Sequence, residues 1–135
     1  MLGREQDAIE SFKQAIGIKP DLAEAYMNLG ITYSSLGRYQ DAIESYKQAI
    51  RIKPDYADAH YNLGVAYVNL GRHQEAIDAY KQAIRITPED AGAHWLLGVA
   101  YVTIGDKGSA LEEYKILKTL DAELANKLFN LIDAK

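Results

Sequence analysis

Residues 57–90 read ADAHYNLGVAYVNLGRHQEAIDAYKQAIRITPED, and residues 23–56 before them read AEAYMNLGITYSSLGRYQDAIESYKQAIRIKPDY. Aligned position by position, 20 of the 34 residues are identical, which chance does not produce. The chain is therefore built from a repeated unit and has to be read as one. The period runs outward in both directions. Pro20, Pro54 and Pro88 keep the interval, as do Gly3, Gly37, Gly71 and Gly105. So do Gly30, Gly64 and Gly98, Tyr33, Tyr67 and Tyr101, Ala8, Ala42, Ala76 and Ala110, and the aromatic series Phe12, Tyr46, Tyr80 and Tyr114.

Within each period the pattern is helical. Over residues 39–52, Tyr39, Ala42, Ile43, Tyr46, Ala49 and Ile50 recur at i, i+3, i+4, i+7 and share one face. Gln40, Asp41, Glu44, Lys47, Gln48 and Arg51 fill the other. Pro54 ends this helix, since proline lacks the amide hydrogen and clashes with the preceding turn. Asp55 suits the start of the next helix, where a carboxylate can accept from unpaired amides. Over residues 57–70, Ala59, Leu63, Tyr67 and Leu70 line one face, and Gly64 beside them admits a close neighbour. Gly71 fits the left-handed residue that follows many helix ends. Glu44 with Lys47 and Asp78 with Lys81 read as i, i+3 surface pairs. The unit is helix, tight turn, helix, tight turn. Neither helix buries its face alone, so successive units must stack.

Composition sets the outer bounds. The chain has 135 residues, 48% of them apolar and 25% charged, with a formal net charge of −4 and no cysteine. That is the make-up of one globular domain. Without cysteine there is no disulfide framework, thiolate nucleophile or cysteine-type zinc site. The acidic balance argues against a nucleic-acid partner, whose phosphates call for clustered Lys and Arg. No run of about 18 apolar residues offers a membrane span, and residues 1–7 lack the layout of a signal peptide, so a cytoplasmic location is expected.

These residues resemble the tetratricopeptide repeat (TPR) family. Its pattern of an aromatic, Leu-Gly, Tyr, a mid-repeat Gly, Ala, an aromatic, Ala and Pro is met in residues 23–56 by Tyr26, Leu29, Gly30, Tyr33, Gly37, Ala42, Tyr46, Ala49 and Pro54. Residues 57–90 supply Leu63, Gly64, Tyr67, Gly71, Ala76, Tyr80, Ala83 and Pro88, with His60 at the first aromatic position. In the last unit Leu97, Gly98, Tyr101, Gly105, Ala110 and Tyr114 match, whereas His94, Leu117 and Ala122 depart from it. Gly108 is an unfavourable helix former there. The resemblance implies an all-α fold, a right-handed superhelical solenoid of antiparallel helix pairs. The expected units are a half-repeat over 1–22 (second helix only), repeats over 23–56, 57–90 and 91–120, and a capping helix over 121–135. In that cap Leu124, Leu128, Leu131 and Ile132 form the apolar stripe. Residues 1–20 match only the second helix of a unit, so the chain reads as a piece of a longer array, or else a neighbouring molecule covers that helix. The C-terminal end reads as a natural one. The first helix and the Gly108 region should exchange amide hydrogens fastest.

The first helix of each unit carries a second stripe. Asp58, Tyr61, Val65, Val68 and Asn69 cluster opposite Leu63, Tyr67 and Leu70 at 100° per residue. The matching positions elsewhere are Glu24, Met27, Ile31, Ser34 and Ser35, and Gly92, Trp95, Val99, Val102 and Thr103. In the TPR family this face lines a concave groove for peptides and helices. The resemblance therefore implies a partner-binding groove of Met27, Ile31, Asp58, Tyr61, Asn62, Val65, Val68, Asn69, Trp95, Val99 and Val102. The competing reading is that Val65 and Val99 above all pack between units. Replacing Tyr61 and Trp95 by alanine separates the two, because loss of folding would mark them as core. The family's clamp for chaperone-tail carboxylates would fall on Met27, Ile31, Asn62, Gly92 and Leu96, of which only Asn62 fits. An apolar or amphipathic segment is the better ligand.

Chemistry is hard to place on this chain. His60 and His94 lie 34 residues apart, so they are two copies of one structural position, hydrogen-bonded within the helix packing. With His73 they make no ligand spacing for a metal. The acidic residues fall on solvated faces, and no glycine-rich phosphate loop exists. Only Gly17 and Gly92 have no assigned reason. The expectation is a non-enzymatic scaffold without cofactor, binding a protein or peptide. The alternatives are a self-associating unit, joined through the first helix or the groove, and the recognition part of a larger protein.

Overall fold

The computed structural model describes residues 2–134; Met1 and Lys135, the outermost residues of the expected 1–22 and 121–135 units, lie outside them. Among the described residues there are eight helices and no strand. They are α1 (Leu2–Ile18), α2 (Ala23–Ser35), α3 (Tyr39–Ile52), α4 (Ala57–Asn69), α5 (His73–Ile86), α6 (Ala91–Ile104), α7 (Lys107–Leu120) and α8 (Ala122–Asp133). Each packs on the next in sequence, α2 also touches α4, and α8 reaches back to α6. The fold is an all-α solenoid whose core runs continuously through the stack.

The turns follow from the glycines. Gly37, Gly71 and Gly105 have φ of +75°, +75° and +84°, a conformation that costs little without a Cβ. The next residue's amide then reaches back to close the helix, from Arg38, Arg72 and Asp106 to the carbonyls of Tyr33, Tyr67 and Tyr101, each at 2.9 Å.

The opposite ends differ from the expectation at Asp55. The cap positions of α2, α4 and α6 are Leu22, Tyr56 and Asp90, one residue past Asp21, Asp55 and Glu89. Only Asp90 caps with its side chain, accepting from the Ala93 amide at 3.2 Å. Asp106 and Asp121 do the same for α7 and α8. The carboxylate must sit on the cap residue itself to reach the amide three residues on.

Inside each pair, a tyrosine of the second helix lies on a glycine of the first. A Cβ on Gly30 would come within 2.4 Å of the Tyr46 ring, and one on Gly64 within 2.4 Å of the Tyr80 ring. Both tyrosines are buried. Burial pushes their phenols up, Tyr46 being partly offset by its 3.1 Å bond with Ser34. The third pair breaks the rule. The side chain over Gly98 is Leu128 of α8, and Tyr114 turns to Phe129, ring centroids 5.3 Å apart.

Further differences are local. Leu70 and Leu131 are exposed, and Ala125, Leu128 and Ile132 form the buried side of α8. Glu44–Lys47 and Asp78–Lys81 are not the ion pairs formed. Lys47 and Lys81 lie over the rings of Tyr67 and Tyr101 at 6.0 and 5.9 Å. Arg38–Asp41 and Arg72–Glu75 pair instead, at 2.8 and 2.7 Å.

Candidate functional site

The stripe on α2, α4 and α6 is positioned by what the opposite face of each helix buries. Leu29 and Tyr33, Leu63 and Tyr67, and Leu97 and Tyr101 go into the core. Residues about half a helical turn away are then left on the other side. Ile31 and Val68 stand out at 45% and 37% exposed, and Asp58 and Asn69 are exposed with them. Tyr61, Asn62, Val65, Trp95 and Val99 are half-buried, with Val65 and Trp95 resting on the core. Met27 and Val102 are 5% and 8% exposed and belong to the core itself, so they add packing rather than open surface. Asn62 of α4 touches Met27 of α2, its amide donating to Met27 Sδ at 4.0 Å.

Most polar groups of the stripe are already engaged. Asn69 Nδ2 donates to the Val65 carbonyl and Thr103 Oγ1 to the Val99 carbonyl, both at 2.9 Å. The side that remains is apolar, with acids at one end. Glu24 and Asp58 both act on the Tyr56 phenol, which burial, then these two charges, push up. Burial also raises the Tyr61 phenol, with Asp90 adding to it. Among the described residues no group of three or more His, Asp or Glu side chains could hold a metal ion. No helix of the described residues is long and apolar enough to cross a membrane.

Tyr61 has a packing role that its sequence position did not disclose. Its ring meets Tyr80 edge-on, 6.3 Å between centroids. Its hydroxyl lies 3.3 Å from where a Gly92 Cβ would stand, so Gly92 makes room for it. Gly17 has open space around it, and the structure gives no account of that glycine. Against the expectation that the acidic residues fall on solvated faces, Glu113 is buried, in a contact with His94 also missed in sequence, Nδ1 to Oε1 at 2.6 Å. Its signal was available: Ser45 and Ala79 hold the position in the other units, so a carboxylate there is a departure.

Three overlapping segments, residues 2–37, 32–71 and 66–105, match the family model described as TPR repeat. No curated protein matches the chain. Among solved structures, one of MamA superposes with a TM-score of 0.85 at 28% identity, over 96% of this chain and 87% of that one. A second MamA structure is 34% identical, with a TM-score of 0.82 over 93% of this chain and 68% of its own. YrrB, described as a TPR protein with an unusual peptide-binding site, shares the fold at 19% identity, with a TM-score of 0.80 over 97% and 77%. Repeats of this kind support a protein–protein interaction scaffold, with proteins or peptides as partners. The repeat pattern in the sequence, the stacked helix pairs and the family match agree: the chain belongs to the TPR repeat family.

Proposed function

We propose that the chain holds a peptide or helix of a partner protein along the stripe formed by α2, α4 and α6. The observation that carries this reading is the pair Ile31 and Val68, aliphatic side chains left exposed on successive first helices. Tyr61, Val65, Trp95 and Val99 extend them into a surface of the kind that marks interaction sites, and Tyr and Trp are the residue types most enriched at binding hot spots. An apolar segment would bury against this strip. Glu24 and Asp58 at one end suit a basic flank, so an amphipathic segment with Lys or Arg at one end is the best-matched ligand.

The test starts from peptides selected from a random displayed library on the immobilised chain. Ile31→Glu with Val68→Glu is expected to weaken their binding at least ten-fold while circular dichroism and the urea midpoint stay unchanged. Undiminished binding by that variant would place the site elsewhere. A second reading, self-association through α1, is favoured by Ile18, which is 87% exposed, beside half-buried Phe12 and Ile16. Light scattering over a concentration series decides it: a mass that rises with concentration and drops with Ile18→Glu supports the contact, and a constant monomer mass removes it.

A further inference from the structure

His60 and His94 are equivalent positions in neighbouring pairs, and the molecule treats them differently. Each ring places Nε2 on the carbonyl oxygen of the proline six residues earlier, 3.0 Å from Pro54 and 2.7 Å from Pro88. A carbonyl only accepts, so Nε2 carries the hydrogen in both. His94 uses its other nitrogen to hold Glu113 at 2.6 Å inside the packing of α6 on α7, with one proton between the two groups.

The residue 34 before Glu113 is Ala79. Where the second pair lacks that carboxyl there is a notch of about 300 Å³, lined by His60, Leu63, Tyr67, Glu75, Asp78, Ala79 and Gln82. It opens to solvent and has room for an acidic side chain with water beside it. His60 is only 8% exposed, and its Nδ1 has no hydrogen-bond partner among the described residues.

We infer that this notch is a docking site for a carboxylate, filled from outside as the His94 position is filled from within. The lining carries two acids, Glu75 and Asp78, and no Lys or Arg, so His60 is the group that would hold an anion there. Glu75 is tied to Arg72 by two bonds of 2.7 Å, and Arg72 and Lys47 lie over the Tyr67 ring that forms one wall. Asp78 is exposed, where water and salt screen it. An imidazole lone pair and a carboxylate oxygen both accept, so the acid's arrival brings one proton into the bond between His60 Nδ1 and the bound oxygen, a charge-assisted contact. No covalent bond to carbon forms or breaks. His60, Leu63 and Tyr67 lie on the face of α4 turned away from Tyr61, Val65 and Val68, so the site does not depend on the groove. The carboxylate can come from an acidic side chain of a partner protein or from a small free acid.

The experiment follows the ring nitrogens of His60, assigned with His60→Gln, by nitrogen-15 NMR at neutral pH. Sodium propionate, which is close to a glutamate side chain without its backbone, is expected to move them saturably towards the protonated form. Methylammonium chloride at the same ionic strength is not. Ala79→Glu is expected to show the shifted resonance with no ligand and to lose at least ten-fold in propionate affinity. Ala79→Leu, which fills the notch without a carboxyl, should lose the response and keep the unshifted resonance. Tighter binding of an acetyl-Ala-Glu-Ala amide than of propionate would assign the site to a partner's acidic side chain, and the reverse order to a free acid. No saturable shift with propionate, or an equal one with methylammonium, would overturn the inference.

Discussion

The pair α4–α5 and the pair α6–α7 begin from one 34-residue pattern and are completed by different means. In the first, Tyr80 covers Gly64, His60 has one bonded nitrogen, and Tyr56 stands at the helix start without a side-chain cap. In the second, Leu128 from α8 covers Gly98, His94 is bonded at both nitrogens, and Asp90 caps the helix. The glycine defines a slot, and what fills it depends on which helix comes next in the stack. An inner pair closes on itself. The last pair is closed by the helix that follows it, and polar contacts tie it together where the tyrosine no longer does.

The largest test of this contrast is at the tyrosines. Tyr80→Ala empties a fully buried site and should cost about 3–5 kcal/mol, as large aromatic truncations in cores do. Tyr114→Ala removes a half-buried ring beside Phe129 and should cost roughly 1 kcal/mol, by the smaller apolar area it takes from the interior. Urea unfolding of both variants measures the gap, and equal costs would mean that the third pair is packed like the second.

Next in size is the polar tie. Glu113→Ala leaves the buried His94 Nδ1 without its partner and should cost about 2–3 kcal/mol, the penalty for an unmet buried polar group. Ala79→Glu should cost far less or stabilise, since it rebuilds that contact at His60. Destabilisation of similar size by both would show that the two histidine sites are not equivalent. Smaller again are the caps. Asp90→Ala should cost about 1 kcal/mol in thermal or urea unfolding. Tyr56→Asp should recover a fraction of that at α4, lowered by the loss of the Lys53 contact with the Tyr56 ring, 4.7 Å from its centroid.

The period, the glycine turns and the helix pairs were legible because they repeat, and a repeated residue reveals its role through its copies. What did not read correctly depends on neighbours or on a shift of one residue. Asp55 has the right chemistry for a cap but sits one position early, as the Glu89-Asp90 step of the third unit makes plain. Leu128 could not be assigned to Gly98, because that contact exists only once α8 folds back onto α6. The stripe of candidate partner contacts was read from a helical wheel, which orders residues around one helix and says nothing of the next. Met27 and Val102 therefore looked like surface and are core. Tyr61 stands between the two, since its contacts with Tyr80 and Gly92 make it a poor probe of binding alone. Ile31 and Val68 are the cleaner probes, and changing them should alter stability by no more than about 0.5 kcal/mol each.

The proposal that this stripe holds the partner is tested most directly through the single tryptophan, Trp95. Its emission is followed while a selected peptide is titrated in and binding is measured in parallel by calorimetry. A saturable blue shift with the calorimetric midpoint, abolished in Ile31→Glu with Val68→Glu, is the predicted result. Calorimetric binding with unmoved Trp95 emission, at full strength in that variant, would contradict it.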